Sequence, residues 1–358
     1  MEPITHFLTG ACLARSGFNR RTAYATLAMT VAAEAPDLDM FWRLRGPVDE
    51  FAHHRGITHT FLGAPFVALA VTGLVWLWHR SRRTPPALAP RWALVWLLSW
   101  LAVLSHILLD WTNNYGVRPF FPFNPRWYSL DLAFLLEPVI FAALLVALVI
   151  PAILGLADRE IGAGKPLFRG RGWAIAALVL AGIDLGVRAV EHHRALRMMS
   201  NTRFGDQPMV RAAAEPYPVN PFHWFGIAET AGYYQTASVN TRAETVDTND
   251  QDDVIFKPPA TPATAAAKRS WLGRVYLDWA WFPVVTDRGP ANLVASDELA
   301  PEPLDTAVEF RDLRFAYPVL FRSRPRASTA LIAWIYVTPT GTIEAMVMNV
   351  RLQVRPEP

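Results

Sequence analysis

The chain has 358 residues, of which 52% are hydrophobic and 18% are charged, and its mean hydropathy is +0.17. This composition is apolar for a soluble protein of that length. The net charge of +3, without a basic stripe that interleaves aromatic residues, disfavours a nucleic-acid partner. Because Cys12 is the single cysteine, an intrachain disulfide and a cysteine-based zinc cluster are excluded, and any metal site must use histidines and carboxylates.

The first elements predicted along the chain are two short helices that form a hairpin. They cover residues 5–16 and 21–34, they are separated by Gly17-Phe18-Asn19, and Pro36 stops the second one. Each is of marginal length for a membrane span.

Longer apolar runs predict membrane-spanning helices. A hydrocarbon core about 30 Å thick needs roughly 20 residues of helix, and residues 60–78, 92–109 and 138–157 meet this criterion. Residues 173–190 predict a further span or an interfacial helix, although they contain Asp184 and Arg188. These two side chains are one helical turn apart and are expected to pair.

Basic residues concentrate in three of the turns between the predicted helices, and the positive-inside rule places these turns in the cytoplasm. The opposite, periplasmic face would then hold residues 36–56, residues 106–131 and the whole C-terminal half. Three arginines weaken this prediction, because they lie on the side that is predicted to be periplasmic: Arg43, Arg45 and Arg55. The basic residues of the three turns are Arg15, Arg20, Arg21, Arg80, Arg82, Arg83, Arg91, Arg159, Lys165, Arg169 and Arg171.

The C-terminal half is predicted to be β-rich. Residues 330–337 and 342–350 flank Thr338-Pro339-Thr340-Gly341, a pattern typical of a hairpin, and residues 273–285 alternate as a strand does. Residues 247–267 predict a polar loop. The expected fold is therefore an α-helical multi-pass membrane domain over residues 1–192, followed by a β-rich extramembrane domain over residues 193–358.

Histidines and aspartates gather near the predicted helix ends. His106 and Asp110 are four residues apart, so their side chains share one face of the predicted helix and can hold the same cation. An ionisable group at the membrane boundary costs free energy unless it is paired, hydrated or bound to a metal. A hydrogen-bonded pair at a polar helix end is the alternative interpretation.

The pattern T-H-x-x-x-G occurs twice, from Thr5 to Gly10 and from Thr58 to Gly63. In each copy the threonine is expected to cap a helix, and the glycine is expected to let a neighbouring helix approach closely. Just before the second copy stands His53-His54-Arg55, and a guanidinium among imidazoles suits a site for a metal and an anionic group. A juxtamembrane loop that solvates lipid head groups is the alternative.

These motifs, in this order, resemble the family of inner-membrane-bound metal-dependent hydrolases, some of which are described as LexA-regulated. The resemblance covers about residues 1–155, and a departure occurs at Leu136-Glu137-Pro138, where Asp-Pro is expected. It is carried by the first T-H-x-x-x-G copy, Pro36-Asp37-Leu38-Asp39, His54-Arg55-Gly56-Ile57-Thr58-His59, and His106-Ile107-Leu108-Leu109-Asp110 with Thr112 and Tyr115-Gly116. The resemblance implies a multi-pass membrane protein with a metal centre whose candidate ligands are His6, Asp37, Asp39, His54, His59, His106 and Asp110.

The functional prediction is hydrolysis assisted by one or two divalent cations, with zinc as the first choice. Arg55 is expected to stabilise developing negative charge, and Asp39 to act as general base if it is not a ligand. The membrane location predicts an ester or phosphoester of a lipid or another amphiphile as substrate, with the oligomeric state left open. The alternatives are a non-enzymatic metal sensor or transporter, and a purely structural cluster; ligands at helix ends weigh against a transporter.

Overall fold

The computed structural model describes residues 1–160, 170–248, 253–291, 305–317, 331–349 and 351–353. Lys165 and Arg169 of the predicted basic turns, residues 249–252 of the predicted loop, and residues 330 and 350 of the predicted strands lie outside these ranges. The chain divides into a helical unit, residues 1–39, 55–195 and 216–224, and a β-rich unit, residues 40–54, 196–215 and 225–358. The predicted boundary between residues 192 and 193 falls inside a helix that continues to Asn201.

The N-terminal helices follow the predicted runs. The hairpin consists of α1 (Pro3–Arg15) and α2 (Ala25–Glu34). Glu2 caps α1 by accepting a hydrogen bond from the Thr5 backbone N–H at 2.9 Å, so Thr5 is not the cap that the sequence predicted. The helices that follow are α3 (Pro47–His53), α4 (Ala64–Ser81), α5 (Trp92–Thr112), α6 (Pro138–Glu160) and α7 (Arg171–Asn201).

Three of the described helices, α5, α6 and α7, are long and apolar enough to cross a membrane. The predicted spans at 92–109, 138–157 and 173–190 are thereby confirmed as membrane-length helices. The predicted span at 60–78 begins later in the structure, because α4 starts at Ala64, and it meets the criterion only when counted together with the segment before it.

The buried charges of α7 are paired. Arg188 donates to Asp184 at 3.1 Å, which confirms the predicted pair, and its Nη2 lies 2.9 Å from Glu137 Oε2. Glu137 also accepts a hydrogen bond from the Val219 backbone N–H at 3.0 Å. The carboxylate before α6 therefore joins three segments of the helical unit.

Close packing of small residues positions the ends of the helices. A Cβ atom at Gly10 would lie 2.6 Å from the Met29 carbonyl oxygen and 2.7 Å from Ala33 Cβ, so glycine is required where α1 meets α2. This confirms the close approach predicted for the first T-H-x-x-x-G copy. At Gly63 a Cβ would meet the preceding turn at Ile57, so there the glycine serves a local turn. The hydrophobic core between these helices includes the buried residues Ala14, Ala28, Ala32, Ala68, Val71, Ala102, Val103 and Ile107.

The predicted β-rich region is confirmed as two five-stranded sheets. The strands are β1 (Arg211–Pro216), β2 (His223–Glu229), β3 (Tyr233–Asn240), β4 (Thr245–Asp247), β5 (Val254–Phe256), β6 (Pro283–Pro290), β7 (Thr306–Asp312), β8 (Ala333–Val337), β9 (Ile343–Met348) and β10 (Arg351–Gln353). In one sheet the order is β1-β2-β3-β4, and β5 also pairs with β3; in the other it is β10-β9-β8-β7-β6. The predicted hairpin is the antiparallel pair β8–β9.

The strand predicted over residues 273–285 is wrong in its first part. The chain there forms α9 (Trp271–Trp279), and the strand β6 begins only at Pro283. Ser270 caps α9 by accepting a hydrogen bond from the Gly273 N–H, and Leu272, Tyr276 and Trp279 are buried at helical spacing. The predicted loop at 247–267 is likewise interrupted by β5 and by α8 (Pro262–Arg269), which Thr261 caps.

Candidate metal centre

Four acidic and histidine side chains from three segments of the helical unit converge on one point. Asp37 lies on a 3₁₀ helix (Ala35–Leu44), His59 on a second one (Ile57–His59), and His106 and Asp110 on the last turns of α5. Each offers one ligand atom, and these four atoms all lie within 4.8 Å of one another. Two imidazoles and two carboxylates form a donor set that suits a divalent transition metal.

The spacing of the four ligand atoms matches a small coordination sphere. His59 Nε2 and His106 Nε2 are 3.0 Å apart, and Asp37 Oδ1 lies 3.3 Å from the first and 3.5 Å from the second. Asp110 Oδ2 is 3.5 Å from each of the two nitrogens. Ligands at tetrahedral zinc, with bonds near 2.1 Å, lie about 3.4 Å from one another, so the cluster has the required size.

Hydrogen bonds on the far side of each imidazole fix which nitrogen faces the cluster. His106 Nδ1 lies 2.6 Å from the Ala33 carbonyl oxygen, which can only accept, so Nδ1 carries a proton and Nε2 is the nitrogen that faces the cluster. His59 Nδ1 lies 3.2 Å from Asp39 Oδ2 and 3.1 Å from Thr58 Oγ1. Partners of this kind are the usual second layer of a metal site, since they orient the ring and raise its basicity.

Asp39, predicted as a metal ligand or as a general base, lies next to His59. Its carboxylate lies behind His59, not among the four converging atoms, and it also accepts a hydrogen bond from the Arg55 backbone N–H at 2.7 Å. His54, another predicted ligand, follows α3 and is not one of the four residues of the cluster.

His6 adjoins the cluster from α1. Its ring stacks on that of His106 with centroids 3.7 Å apart, and its Nε2 lies 3.3 Å from Asp110 Oδ1. Both ring nitrogens of His6 and Asp110 Oδ2 are buried and make no hydrogen bond within the described part of the chain. Buried polar atoms are normally satisfied, so Asp110 Oδ2 and the His6 nitrogen beside Asp110 fit a site whose remaining partner is a cation.

Arg55 supplies positive charge beside Asp110. Its Nη2 donates to Asp110 Oδ1 at 2.8 Å, and its Nη1 donates to the Gly116 carbonyl at 2.8 Å and to Asn113 Oδ1 at 3.1 Å. The guanidinium lies over the Tyr115 ring, 4.7 Å from its centroid, and the residue is 4% exposed. Nη2 thus pairs with the Asp110 carboxylate, and Nη1 anchors the guanidinium to the segment that follows α5.

Access to the cluster is through Asp37. Its side chain is 18% exposed, whereas those of His59, His106 and Asp110 are at most 1% exposed. Burial acts to raise the pKa of Asp37, but hydrogen bonds with His106 and His59 outweigh it and hold this pKa well below its usual range. Asp37 is therefore an ionised, solvent-reachable member of the donor set.

Glu34, the last residue of α2, is a candidate that the sequence analysis missed. Burial and the negative charge of Asp37 raise the pKa of Glu34 to about 7, and its Oε1 makes no hydrogen bond to the described residues. A carboxyl that titrates near neutrality can accept or release a proton during catalysis. The available signal was a glutamate one helical turn before Asp37.

A buried His/Asp cluster at the end of a membrane-length helix defines the class of this protein, an integral membrane protein with a candidate metal site. The profile of the YdjM inner membrane protein family matches residues 1–195, more than half of the chain, and the chain belongs to that family. This match confirms the resemblance to an inner membrane protein family that the motifs indicated, together with the membrane location. The metal-dependent hydrolase activity stays a prediction.

Among individual proteins, the chain is similar to the uncharacterised protein YfhP of Bacillus subtilis (strain 168). The two are 28% identical over 158 residues, which is 42% of this chain and 46% of YfhP. The chain thus spans about half the length of this curated relative. No solved structure matches the chain.

Proposed function

We propose that the protein is a membrane-bound metal-dependent hydrolase that acts on an ester or phosphoester of a lipid or another amphiphile. The observation that carries this proposal is the convergence of Asp37, His59, His106 and Asp110 at ligand spacing beside buried atoms without hydrogen bonds. The two nitrogen and two oxygen donors favour zinc as the cation. His6, stacked on His106, would extend the donor set.

The chain's own residues would hold the cation and the charges around it. When bound, a divalent cation supplies Lewis acidity, which polarises the scissile group and makes water a better nucleophile at neutral pH. Asp39 would keep His59 in the tautomer that presents Nε2, and Arg55 would act as a positioning residue that holds Asp110 ionised. Glu34, whose pKa is raised to about 7, is the carboxyl group available for proton transfer.

The surroundings of the cluster support an amphiphilic substrate. Large apolar side chains that are about half exposed neighbour the ligands along the chain: Phe7 next to His6, Leu38 next to Asp37, and Ile57, two residues before His59. Apolar surface of this kind beside a polar site suits a molecule with a head group and an acyl chain. The positive-inside rule favours the periplasmic side for this site, because the basic turns lie at the other ends of the helices.

A second candidate function is a non-enzymatic metal sensor. The observation in its favour is burial, since three of the four cluster side chains are at most 1% exposed, which leaves little room for a reacting substrate. Both functions require the same bound cation, so turnover is what separates them.

The test uses the full chain, purified in a mild detergent, stripped of metal by a chelator and reloaded with zinc. Bound metal is measured by elemental mass spectrometry, and hydrolysis with bis-p-nitrophenyl phosphate and with phospholipid vesicles. His59→Ala is expected to weaken zinc binding by more than about a hundredfold and to abolish turnover, because it removes one of the four donors.

The matched control is His53→Ala. The His53 ring stacks on Trp42 at 3.9 Å and its Nδ1 contacts the Asp49 carbonyl, so its removal should leave zinc and activity unchanged. Stoichiometric zinc without turnover on any substrate would favour the sensor. Wild-type protein that retains no zinc after reloading would contradict both functions.

A further inference from the structure

The end of the helical unit that lies away from the metal centre has a different chemistry. It is built from the C-terminal end of α1, the turn before α2 and the starts of α5 and α7. The Arg91 backbone N–H donates to Thr22 Oγ1 at 2.8 Å, and Arg171 Nε donates to the Ser16 carbonyl at 3.0 Å. From Arg91 to His106 the helix rises about 22 Å, so this end is a separate region of the unit.

A concave pocket with a volume of about 360 Å³ lies in this region. The described residues that line it include three arginines and no acidic residue. Guanidinium groups present paired N–H donors that match the oxygens of a phosphate, and the volume is within the range of small-ligand sites. The lining residues are Ser16, Gly17, Phe18, Arg20, Arg21 and Arg171.

Exposed aromatic side chains place this pocket at the level of lipid head groups. Trp76 and Trp78 near the end of α4 are 39% and 45% exposed, and Trp173 in the first turn of α7 is 46% exposed. Arg80 lies over the Trp76 ring and Arg82 over the Trp78 ring. Tryptophan and basic residues together are typical of the interface between a bilayer and water.

We propose that the pocket formed by Ser16, Phe18, Arg20, Arg21 and Arg171 binds the phosphate head group of an anionic phospholipid from the leaflet that meets this end of the helices. A basic pocket between membrane helices attracts anionic lipid both through its charge and through the hydrogen-bonding geometry of its arginines. The lipid head group and free phosphate both offer phosphate oxygens to the arginines. Only the lipid adds acyl chains, which the adjoining apolar helices would accommodate. This site is independent of the metal centre and of the proposed hydrolysis.

The experiment measures lipid binding to the full chain in a neutral detergent. Thermal unfolding is followed during titration with phosphatidylglycerol, phosphatidylcholine or inorganic phosphate. We expect phosphatidylglycerol to raise the unfolding midpoint, phosphatidylcholine to have little effect, and phosphate alone not to substitute for the lipid. Arg21→Gln with Arg171→Gln should weaken phosphatidylglycerol binding roughly thirtyfold, because two guanidinium groups that line the pocket and would bind the phosphate oxygens are lost.

The matched control is Arg80→Gln with Arg83→Gln, which removes the same charge from exposed positions at the same end but outside the pocket. It should bind phosphatidylglycerol as the wild type does. If both double variants lose the same phosphatidylglycerol affinity, general surface charge explains the binding and the proposal is overturned. If inorganic phosphate raises the unfolding midpoint as much as phosphatidylglycerol does, the pocket is a free-anion site and the proposal is also overturned. Native mass spectrometry of the wild-type protein gives a test that does not depend on the variants folding. If the protein retains phosphatidylglycerol no better than phosphatidylcholine, the proposal is also overturned.

Discussion

The buried carboxylate of Asp312 in the β-rich unit and the His/Asp cluster of the helical unit satisfy their polar atoms differently. In the β-rich unit Asp312 accepts hydrogen bonds from the backbone N–H groups of Trp281 and Arg314 and from the Arg314 guanidinium, at 2.8 to 3.0 Å. In the helical unit the His6 ring and Asp110 Oδ2 are equally buried and make no hydrogen bond to described residues.

This difference separates architecture from function. A buried pair whose donors and acceptors are all used contributes to one stable arrangement and has nothing left to offer a ligand. Buried atoms that face one another without hydrogen bonds destabilise the fold unless something binds them, and such strain is tolerated mainly at functional sites. Asp312 is therefore expected to respond to mutation through stability, and the cluster through metal binding.

The largest expected effect is that of Asp312→Ala. It would leave the Arg314 guanidinium, which is 1% exposed, without its counter-charge, and it would remove the acceptor for three backbone N–H groups, those of Trp281, Phe282 and Arg314. The free energy of unfolding should fall by about 3–5 kcal/mol. Hydrogen exchange resolved on peptides from β7 and β8 measures this loss.

The control for that experiment is Asp247→Ala at the exposed end of β4, which should change the same free energy by less than about 0.5 kcal/mol. If Asp312→Ala were as mild as this control, the contrast between satisfied and unsatisfied buried charges would not hold.

Asp39→Asn tests the other side of the comparison. The amide oxygen can still accept a hydrogen bond from His59 Nδ1 but carries no charge, so zinc affinity should fall by about tenfold while stoichiometry is kept. Zinc titration monitored by calorimetry gives both values. Asp49→Asn in the first turn of α3 is the matched control and should bind zinc normally. Loss of stoichiometric binding in Asp39→Asn would instead make Asp39 a direct ligand, as the sequence predicted.

The smallest expected effect is the contribution of Glu229 in β2 to the stability of the protein at acidic pH. Burial raises the pKa of Glu229, but salt bridges with Lys257 and Arg211 outweigh it and lower this pKa below its ordinary value of 4.5. The stabilisation is therefore fully present above pH 4.5 and is lost as the pH falls through the lowered value. Because Arg211 is 44% exposed, Glu229→Gln should cost at most about 1 kcal/mol at pH 7.

Thermal unfolding of the wild type and of Glu229→Gln between pH 3 and pH 7 checks the direction of this pH dependence. The gap between their midpoints should close on acidification, whereas Glu344→Gln, at an exposed position of β9, should show no gap at any pH. A gap that widens toward low pH would mean that the carboxylate is not stabilised by its two cations.

Most of the helical region could be predicted because its signals are local. Long apolar runs stand out from the rest of the chain, so α5, α6 and α7 were found with their approximate limits. The strand predicted at α9 failed because the spacing that buries Leu272, Tyr276 and Trp279 competes with an apparent alternation, and the cap at Ser270 decides for the helix.

The candidate site was predicted as a set of residue types but not as an arrangement. Sequence could not distinguish Asp37 from Asp39, because the 3₁₀ geometry of Ala35–Leu44 decides which carboxylate faces the cluster and which lies behind His59. It also could not foresee that both terminal nitrogens of Arg55 would be engaged by its neighbours, because those partners come from residues 110–116.

What the sequence alone determined is the membrane character of the helices, the β-rich half and the supply of histidines and carboxylates near helix ends, since hydropathy and residue chemistry are properties of local segments. Which of those side chains meet was decided only by the tertiary structure. The close approach of α1 and α2 at Gly10, and the packing of α5 against both, bring together atoms that are up to about a hundred residues apart in the chain. Contacts of that kind depend on how whole helices pack, which no single segment specifies.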